Sequence, residues 1–181
     1  MSTTTPEDRG SAAALAACRA QGRSALIGYL PVGYPDVPGS IDAVRALVAG
    51  GADMVEIGMP YTDPGLDGPV IEAASVQALR GGVRVRDVFT AVQAAADAGA
   101  TPVVMSYWNL VLQYGVTDFA RGLDAAGGGG IITPDLIPDE AHDWGREHNN
   151  PRCIVDLVKK VTNVSVETTR IVHALPELTL E

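Results

Sequence analysis

The sequence predicts an α/β fold in which short buried strands alternate with helices in a parallel sheet. Four apolar runs rich in Val and Ile are typical of buried strands; they span residues 25–30, 53–59, 101–107 and 129–133. A helix-to-strand joint also recurs three times, as VAGGAD, ADAGAT and DAAGGG. Each joint has glycine where a helix stops, and a strand follows within a few residues. Such a repeat indicates consecutive βα units and therefore a parallel sheet.

Helical periodicity fills the intervals between these strands. Apolar residues recur at spacings of three and four over residues 40–48 and again over residues 88–98. The interval between the second and third strands is longer, and it contains a further helix from about residue 70 to residue 79. We expect each helix to pack one face against the sheet.

The four long loops all follow predicted strands. They read GYPDVPG, MPYTDPGLDGP, SYWNLVLQYG and PDLIPDE. In parallel α/β folds, the loops after the carboxyl ends of strands contain the functional residues, whereas the opposite loops mostly contribute stability. A functional site is therefore expected at the edge of the sheet where these loops meet.

Composition excludes several classes of function. The chain has 181 residues, 46% of them hydrophobic, which is enough for a domain with a core. Its net charge of -9 disfavours nucleic acid and the cytoplasmic face of a membrane as partners. The two cysteines, Cys18 and Cys153, form neither a disulfide framework nor a metal-binding spacing, so we expect no metal and a cytoplasmic location. The polar N-terminus and the absence of a long apolar run predict neither secretion nor membrane insertion.

Glu56 is the first candidate catalytic residue. It lies near the end of the second strand among Met54, Val55, Ile57 and Met59. Desolvation there disfavours the charged carboxylate and raises the pKa, which suits a group that accepts and returns a proton near neutrality. The alternative is an inward acid neutralised by a buried base, but the strand neighbours supply none.

Two further acids follow in the loop after this strand. Asp67 precedes Gly68 and Pro69, and Asp63 precedes Pro64. Aspartate is also common in turns and at helix N-caps, so turn formation and capping of the next helix are the structural alternatives. A proton carrier needs a separate group that stabilises charge, which favours Asp67 as the second catalytic residue and Asp63 as a loop or partner contact.

Aromatic residues flank the same edge. Tyr29, Tyr107 and Trp108 lie at the ends of the first and third strands, where a flat ligand would contact them, although core packing explains them nearly as well. Asn109 is expected to fix the loop by bonding backbone groups.

The chain resembles the α subunit of tryptophan synthase, specifically its actinobacterial form. The resemblance covers about residues 12–148 and is carried by five motifs, GYLPVGYPD, DMVEIGMPYTDPGLDGP, ALRGGVRV, SYWNLVLQYG and ITPDLIPDEA. The resemblance implies the first four βα units of a TIM barrel. It also implies a retro-aldol cleavage of indole-3-glycerol phosphate to indole and glyceraldehyde 3-phosphate. The indole then passes to a β subunit, and pyridoxal phosphate is expected only in that partner.

The resemblance assigns roles to individual residues. It implies that Glu56 shuttles protons and that Asp67 engages the indole N–H while the ring tautomerises. It places Asp63 in a loop that contacts the β subunit, and Asp135 with Leu136 in the loop after the fourth strand. Residues expected to line the indole pocket are Tyr29, Met105, Tyr107 and Ile132.

Residues 149–181 lack the repeated joint and are expected to form a tail separate from the half barrel of residues 1–148. The family continues through four more βα units, which supply a mobile lid and a glycine-rich phosphate-binding loop. Nothing after His148 resembles them in motif. Two main functions therefore stay open: the lyase, and a module that binds the β subunit without catalysis. A different phosphate-sugar barrel enzyme is a weaker third hypothesis.

Overall fold

The computed structural model describes residues 10–65 and 67–136. Its strands are β1 (Ile27–Pro31), β2 (Met54–Gly58), β3 (Thr101–Met105) and β4 (Ile131–Ile132). Its helices are α1 (Ser11–Ala20), α2 (Val37–Ala49), α3 (Pro69–Arg80), α4 (Val85–Asp97), α5 (Trp108–Tyr114) and α6 (Val116–Ala125). Predictions for residues 149–181 lie outside the described residues.

The four strands form one parallel sheet in the order β1-β2-β3-β4. The predicted strands are confirmed in number, order and direction, although each is shorter than the apolar run that predicted it. The register places Glu56 of β2 between Tyr29 of β1 and Val103 of β3. One pair further along, Gly58 lies beside Met105, and Met105 lies beside Ile132.

The two faces of the sheet have different environments. Side chains alternate between faces along a strand, so Val55 and Ile57 project opposite to Glu56. Val55, Ile57, Val104 and Ile131 are fully buried and share a core cluster with residues of the helices. The face with Glu56 is less enclosed, since Tyr29, Met105 and Ile132 are only partly buried there. The core therefore lies between the sheet and its helices, and the other face is available to a ligand.

The predicted glycine joints are confirmed. Gly51, Gly99 and Gly127 have φ angles of 101°, 97° and 83°, a left-handed conformation that residues with a Cβ rarely adopt. Each follows the end of a helix and turns the chain toward the next strand.

The periodicity did not predict helix α1. The segment after it forms an ion pair with Asp53, the residue before β2. Arg23 Nη1 and Nη2 contact Asp53 Oδ2 and Oδ1 at 2.7 and 2.5 Å, and the Leu26 amide donates to Asp53 Oδ2 at 2.8 Å. The hydrogen bond from Arg23 holds the pKa of Asp53 well below its ordinary value. These contacts fix the segment after α1 to the amino-terminal edge of the sheet.

One prediction about the loops is wrong. Most of SYWNLVLQYG forms helix α5 rather than a loop. Its first amide, that of Trp108, donates to both carboxylate oxygens of Asp135 at 3.0 Å. Because this cap comes from the segment after β4, the local sequence does not reveal where the helix begins. No helix in the part of the chain that the structure describes is long and apolar enough to cross a membrane.

Candidate active site

Glu56 is the central residue of β2 and lies half buried on the open face of the sheet. Within residues 10–65 and 67–136, no Arg, Lys or His forms an ion pair with it, so the buried-base alternative finds no support there. Burial raises the pKa of Glu56 above its ordinary value, and no neighbouring charge opposes this effect. The group is therefore suited to hold a proton at a higher pH than an exposed glutamate does.

Tyr29 is the cross-strand neighbour of Glu56 and leans over β2. A Cβ built at Gly58 would overlap the Tyr29 hydroxyl and lie 2.6 Å from Tyr29 Cζ. Gly58 thus allows the tyrosine ring to approach the strand backbone closely. Burial raises the pKa of Tyr29, and the carboxylates of Asp67 and Glu56 raise it further.

Asp67 does not cap the helix that follows it. The N-cap of α3 is Gly68, and no side-chain hydrogen bond caps that end of the helix. Burial raises the pKa of Asp67, and the Glu72 carboxylate in the first turn of α3 adds to the effect. The capping alternative is thereby removed, and the Asp67 carboxylate is close enough to Tyr29 to contribute to its raised pKa.

Asp63 lies exposed in the same loop. The Thr62 hydroxyl donates to Asp63 Oδ2 at 2.6 Å, so its partner is a neighbouring side chain rather than the backbone of a turn. Nothing else in the described residues links Asp63 to Glu56 or Asp67. Its position suits a contact outside the site.

Tyr107 is buried, and its ring contacts Tyr61 of the β2 loop with centroids 4.7 Å apart and planes inclined by 31°. Asn109 Nδ2 donates to the Tyr61 hydroxyl at 3.0 Å. The expected backbone contacts of Asn109 are thus replaced by a side-chain contact. Sequence reasoning missed Tyr61, although an aromatic residue in a loop next to Glu56 was a visible sign.

Met105 and Ile132 lie side by side on the open face, one register pair beyond Glu56. Asp135 caps α5, as described above, and Leu136 is buried. The Trp108 side chain packs against the core cluster on the helix side of the sheet. The structure therefore places Glu56, Tyr29, Met105 and Ile132 on one face, with Asp67 and Tyr107 in the adjoining segments.

An apolar groove of about 420 Å³ lies elsewhere, and it contains none of the predicted site residues. It is lined by Tyr34, Pro69, Val70, Ala73, Ala74 and Gln77. Within the described ranges, no three His, Cys, Asp or Glu side chains converge as a metal site would require.

The family model described as "Tryptophan synthase alpha chain" matches residues 15–173. The chain belongs to this family. The match continues past residue 148, where the motif-based resemblance ends. Tryptophan synthase alpha chains of Mycobacterium leprae and Mycobacterium tuberculosis are 63% and 65% identical to it over 127 residues. Those residues are 70% of this chain and 47% of each relative.

Solved structures agree with the family assignment. Tryptophan synthase from M. tuberculosis in its aminoacrylate-bound form has a TM-score of 0.74 and 59% identity, and covers 78% of this chain and 58% of that one. The tryptophan synthase alpha subunit of Legionella pneumophila has a TM-score of 0.71 at 31% identity, and covers 77% of this chain and 54% of that one. The described residues therefore form the first part of a TIM barrel, and the chain spans about half the length of the curated relatives it matches.

Proposed function

We propose that this chain provides the acid-base half of a site that cleaves indole-3-glycerol phosphate to indole and glyceraldehyde 3-phosphate. The observation that supports this most directly is Glu56, a half-buried carboxyl group with a raised pKa and no ion-pair partner in the described residues. Glu56 lies beside Tyr29 and two residues before β2 ends, and barrel enzymes bind their substrates at that end of the strands.

The proposed reaction needs two carboxyl groups and no cofactor bound to this chain. Glu56 donates a proton to C3 of the indole ring, and the Asp67 carboxylate accepts a hydrogen bond from the ring N–H as positive charge develops on it. Glu56 then accepts the proton of the glycerol hydroxyl nearest the ring. The bond between C3 and that carbon breaks, its electrons return to the ring, and the hydroxyl becomes the aldehyde. Glu56 ends the cycle protonated, as it began.

The contacts of the site residues support this division of roles. Glu56 must exchange protons in both directions, and a carboxyl pKa raised toward neutrality allows it to do so. Asp67 has no capping function at α3 and remains available to a ligand. Met105 and Ile132 supply apolar surface for the indole ring next to Glu56.

A rate measurement tests the proposal. Purified chain is mixed with indole-3-glycerol phosphate, and the release of glyceraldehyde 3-phosphate is followed with a coupled dehydrogenase. Glu56→Gln is expected to lower the rate by at least about 100-fold, the scale of a lost general acid-base group, and Asp67→Asn to lower it as well. Asp97→Asn is the control, because Asp97 is exposed at the end of α4 and contacts none of the proposed site residues. An unchanged rate in Glu56→Gln contradicts the proposal.

A second candidate is a module that binds a tryptophan synthase β subunit without cleaving the substrate. It is favoured by the exposed position of Asp63 in the loop that the family resemblance places against the β subunit. Co-purification with a β subunit and faster condensation of indole with serine, without release of glyceraldehyde 3-phosphate, would favour this function. A cytoplasmic location belongs to both proposals, since two distant cysteines give no disulfide framework.

A further inference from the structure

The Tyr29 hydroxyl occupies a definite place above β2. Tyr29 pairs with Glu56 across β1 and β2 and lies on the same face of the sheet. Because a Cβ at Gly58 would overlap the hydroxyl, that oxygen lies over the strand two residues beyond Glu56. It is thus displaced from Glu56 toward the edge of the sheet where the loop with Asp67 begins.

Packing of the ring does not explain this hydroxyl. Within residues 10–65 and 67–136, it makes no hydrogen bond to a protein group, and it is not sealed in the protein interior. A phenylalanine ring would line the same surface equally well. Placing a polar oxygen at a half-buried position has a cost that a hydrogen bond to a ligand offsets.

The surroundings also determine whether the hydroxyl donates or accepts. Burial and the charges of Asp67 and Glu56 disfavour the phenolate and raise the pKa of Tyr29. The group therefore keeps its proton at neutral pH and acts as a hydrogen-bond donor. A donor beside two carboxyl groups is complementary to an oxygen that becomes more negative during the reaction.

We propose that the Tyr29 hydroxyl donates a hydrogen bond to the glycerol oxygen from which Glu56 removes a proton. This assignment rests on the proposed lyase function and adds a residue that determines specificity for the hydroxylated side chain. The indole N–H is itself a donor, and the Asp67 carboxylate can accept its hydrogen bond, so the Tyr29 hydroxyl cannot donate to it. The substrate group that needs a donor beside Glu56 is the glycerol hydroxyl at the bond that breaks.

Tyr29→Phe tests the assignment, because it removes one oxygen and keeps the ring. We expect kcat/KM for indole-3-glycerol phosphate to fall about 10- to 100-fold, somewhat less than is usual for a fully enclosed oxyanion donor. The ligand control is 3-(indol-3-yl)propyl phosphate, which has the same ring and phosphate but lacks both side-chain hydroxyls. We expect the Kd of Tyr29→Phe for this analogue to differ less than twofold from that of the unaltered chain.

Tyr114→Phe is the matched protein control, because Tyr114 packs against Phe89 and Phe119 away from the open face. It should alter neither quantity. Two results would contradict the assignment: an unchanged kcat/KM in Tyr29→Phe, or a loss of affinity for the propyl phosphate as large as the loss in kcat/KM. In either case the hydroxyl has no such role, even though the lyase function stands. If the unaltered chain neither binds the propyl phosphate nor cleaves the substrate, the proposed function fails and this assignment fails with it.

Discussion

Glu56 is held in an environment that favours its neutral form, and this has a consequence for stability as well as for chemistry. Burial raises its pKa in the folded chain above the ordinary value of 4.5. The folded state therefore binds this proton more tightly than the unfolded state does. Below the unfolded pKa the carboxyl is neutral in both states and costs nothing. As the pH rises through the folded pKa, ionisation destabilises the fold.

Glu56→Gln is therefore expected to stabilise the chain while it removes the proposed proton-transferring group. At pH 8 the free energy of unfolding should rise by roughly 0.5 to 2 kcal/mol, as is common when a strained functional group is removed. Near pH 3.5 the difference should vanish, because Glu56 is then protonated in both states. Urea unfolding at the two pH values measures both quantities. Exposed Glu72→Gln should show no comparable gain at pH 8, and a loss of stability in Glu56→Gln would contradict the expectation.

For single residues, the sequence identifies those candidates whose signal lies within their own segment of the chain. Glu56 was visible because one acid interrupts an apolar strand, and Asp67 because a second acid follows in the next loop. Tyr61, in contrast, contacts Tyr107 and Asn109, and Asn109 lies 48 residues further along the chain. Nothing in either segment alone indicates that contact.

The joints between helices and strands are the elements that the sequence predicts best, because their geometry depends on glycine itself. Gly50 and Gly51 follow α2 in succession, yet they have different conformations. Gly50 has a φ of -75°, which any residue adopts, whereas Gly51 has a φ of 101° with open space where a Cβ would stand. The backbone at Gly50 can therefore accept a residue with a Cβ, whereas the backbone at Gly51 favours glycine.

Alanine at the two positions separates these cases. Gly51→Ala should lower the free energy of unfolding by about 1 to 2 kcal/mol through left-handed strain alone. Gly50→Ala should stay within about 0.5 kcal/mol of the parent chain, as ordinary surface substitutions do. Thermal or urea unfolding of both variants is sufficient. Equal effects at the two positions would show that the joint does not depend on the left-handed residue.

Helix α5 shows where local prediction of elements fails. Its first amide is capped by Asp135, 27 residues later, and that contact exists only after β4 has paired with β3. In contrast, the N-cap of α2 is Asp36, whose carboxylate accepts from the Gly39 amide at 2.7 Å within the same turn. A cap within the helix is visible in the sequence, and a cap from another βα unit is not.

At the scale of the whole molecule, the described sheet ends at β1 on one side and at β4 on the other. At the β1 edge, Leu26 precedes the strand and Ile27 begins it, and the two residues are 53% and 46% exposed. The family resemblance implies four more βα units after the fourth, including the loop that binds the substrate phosphate. The open face with Glu56 and that loop would then belong to opposite halves of one barrel.

Adding the second half in trans should therefore increase cleavage by this chain. Two charge-assisted hydrogen bonds to phosphate supply about 4 kcal/mol, which corresponds to a gain in kcat/KM on the order of a thousandfold. The C-terminal half of the M. tuberculosis alpha chain, expressed separately and mixed with this chain, provides the measurement. The same half mixed with Glu56→Gln should give no gain, because that variant lacks the group proposed to transfer the proton. If the unassisted chain already turns over as fast as the mixture, then the phosphate is held by residues of this chain, and the assignment of that function to the second half is wrong.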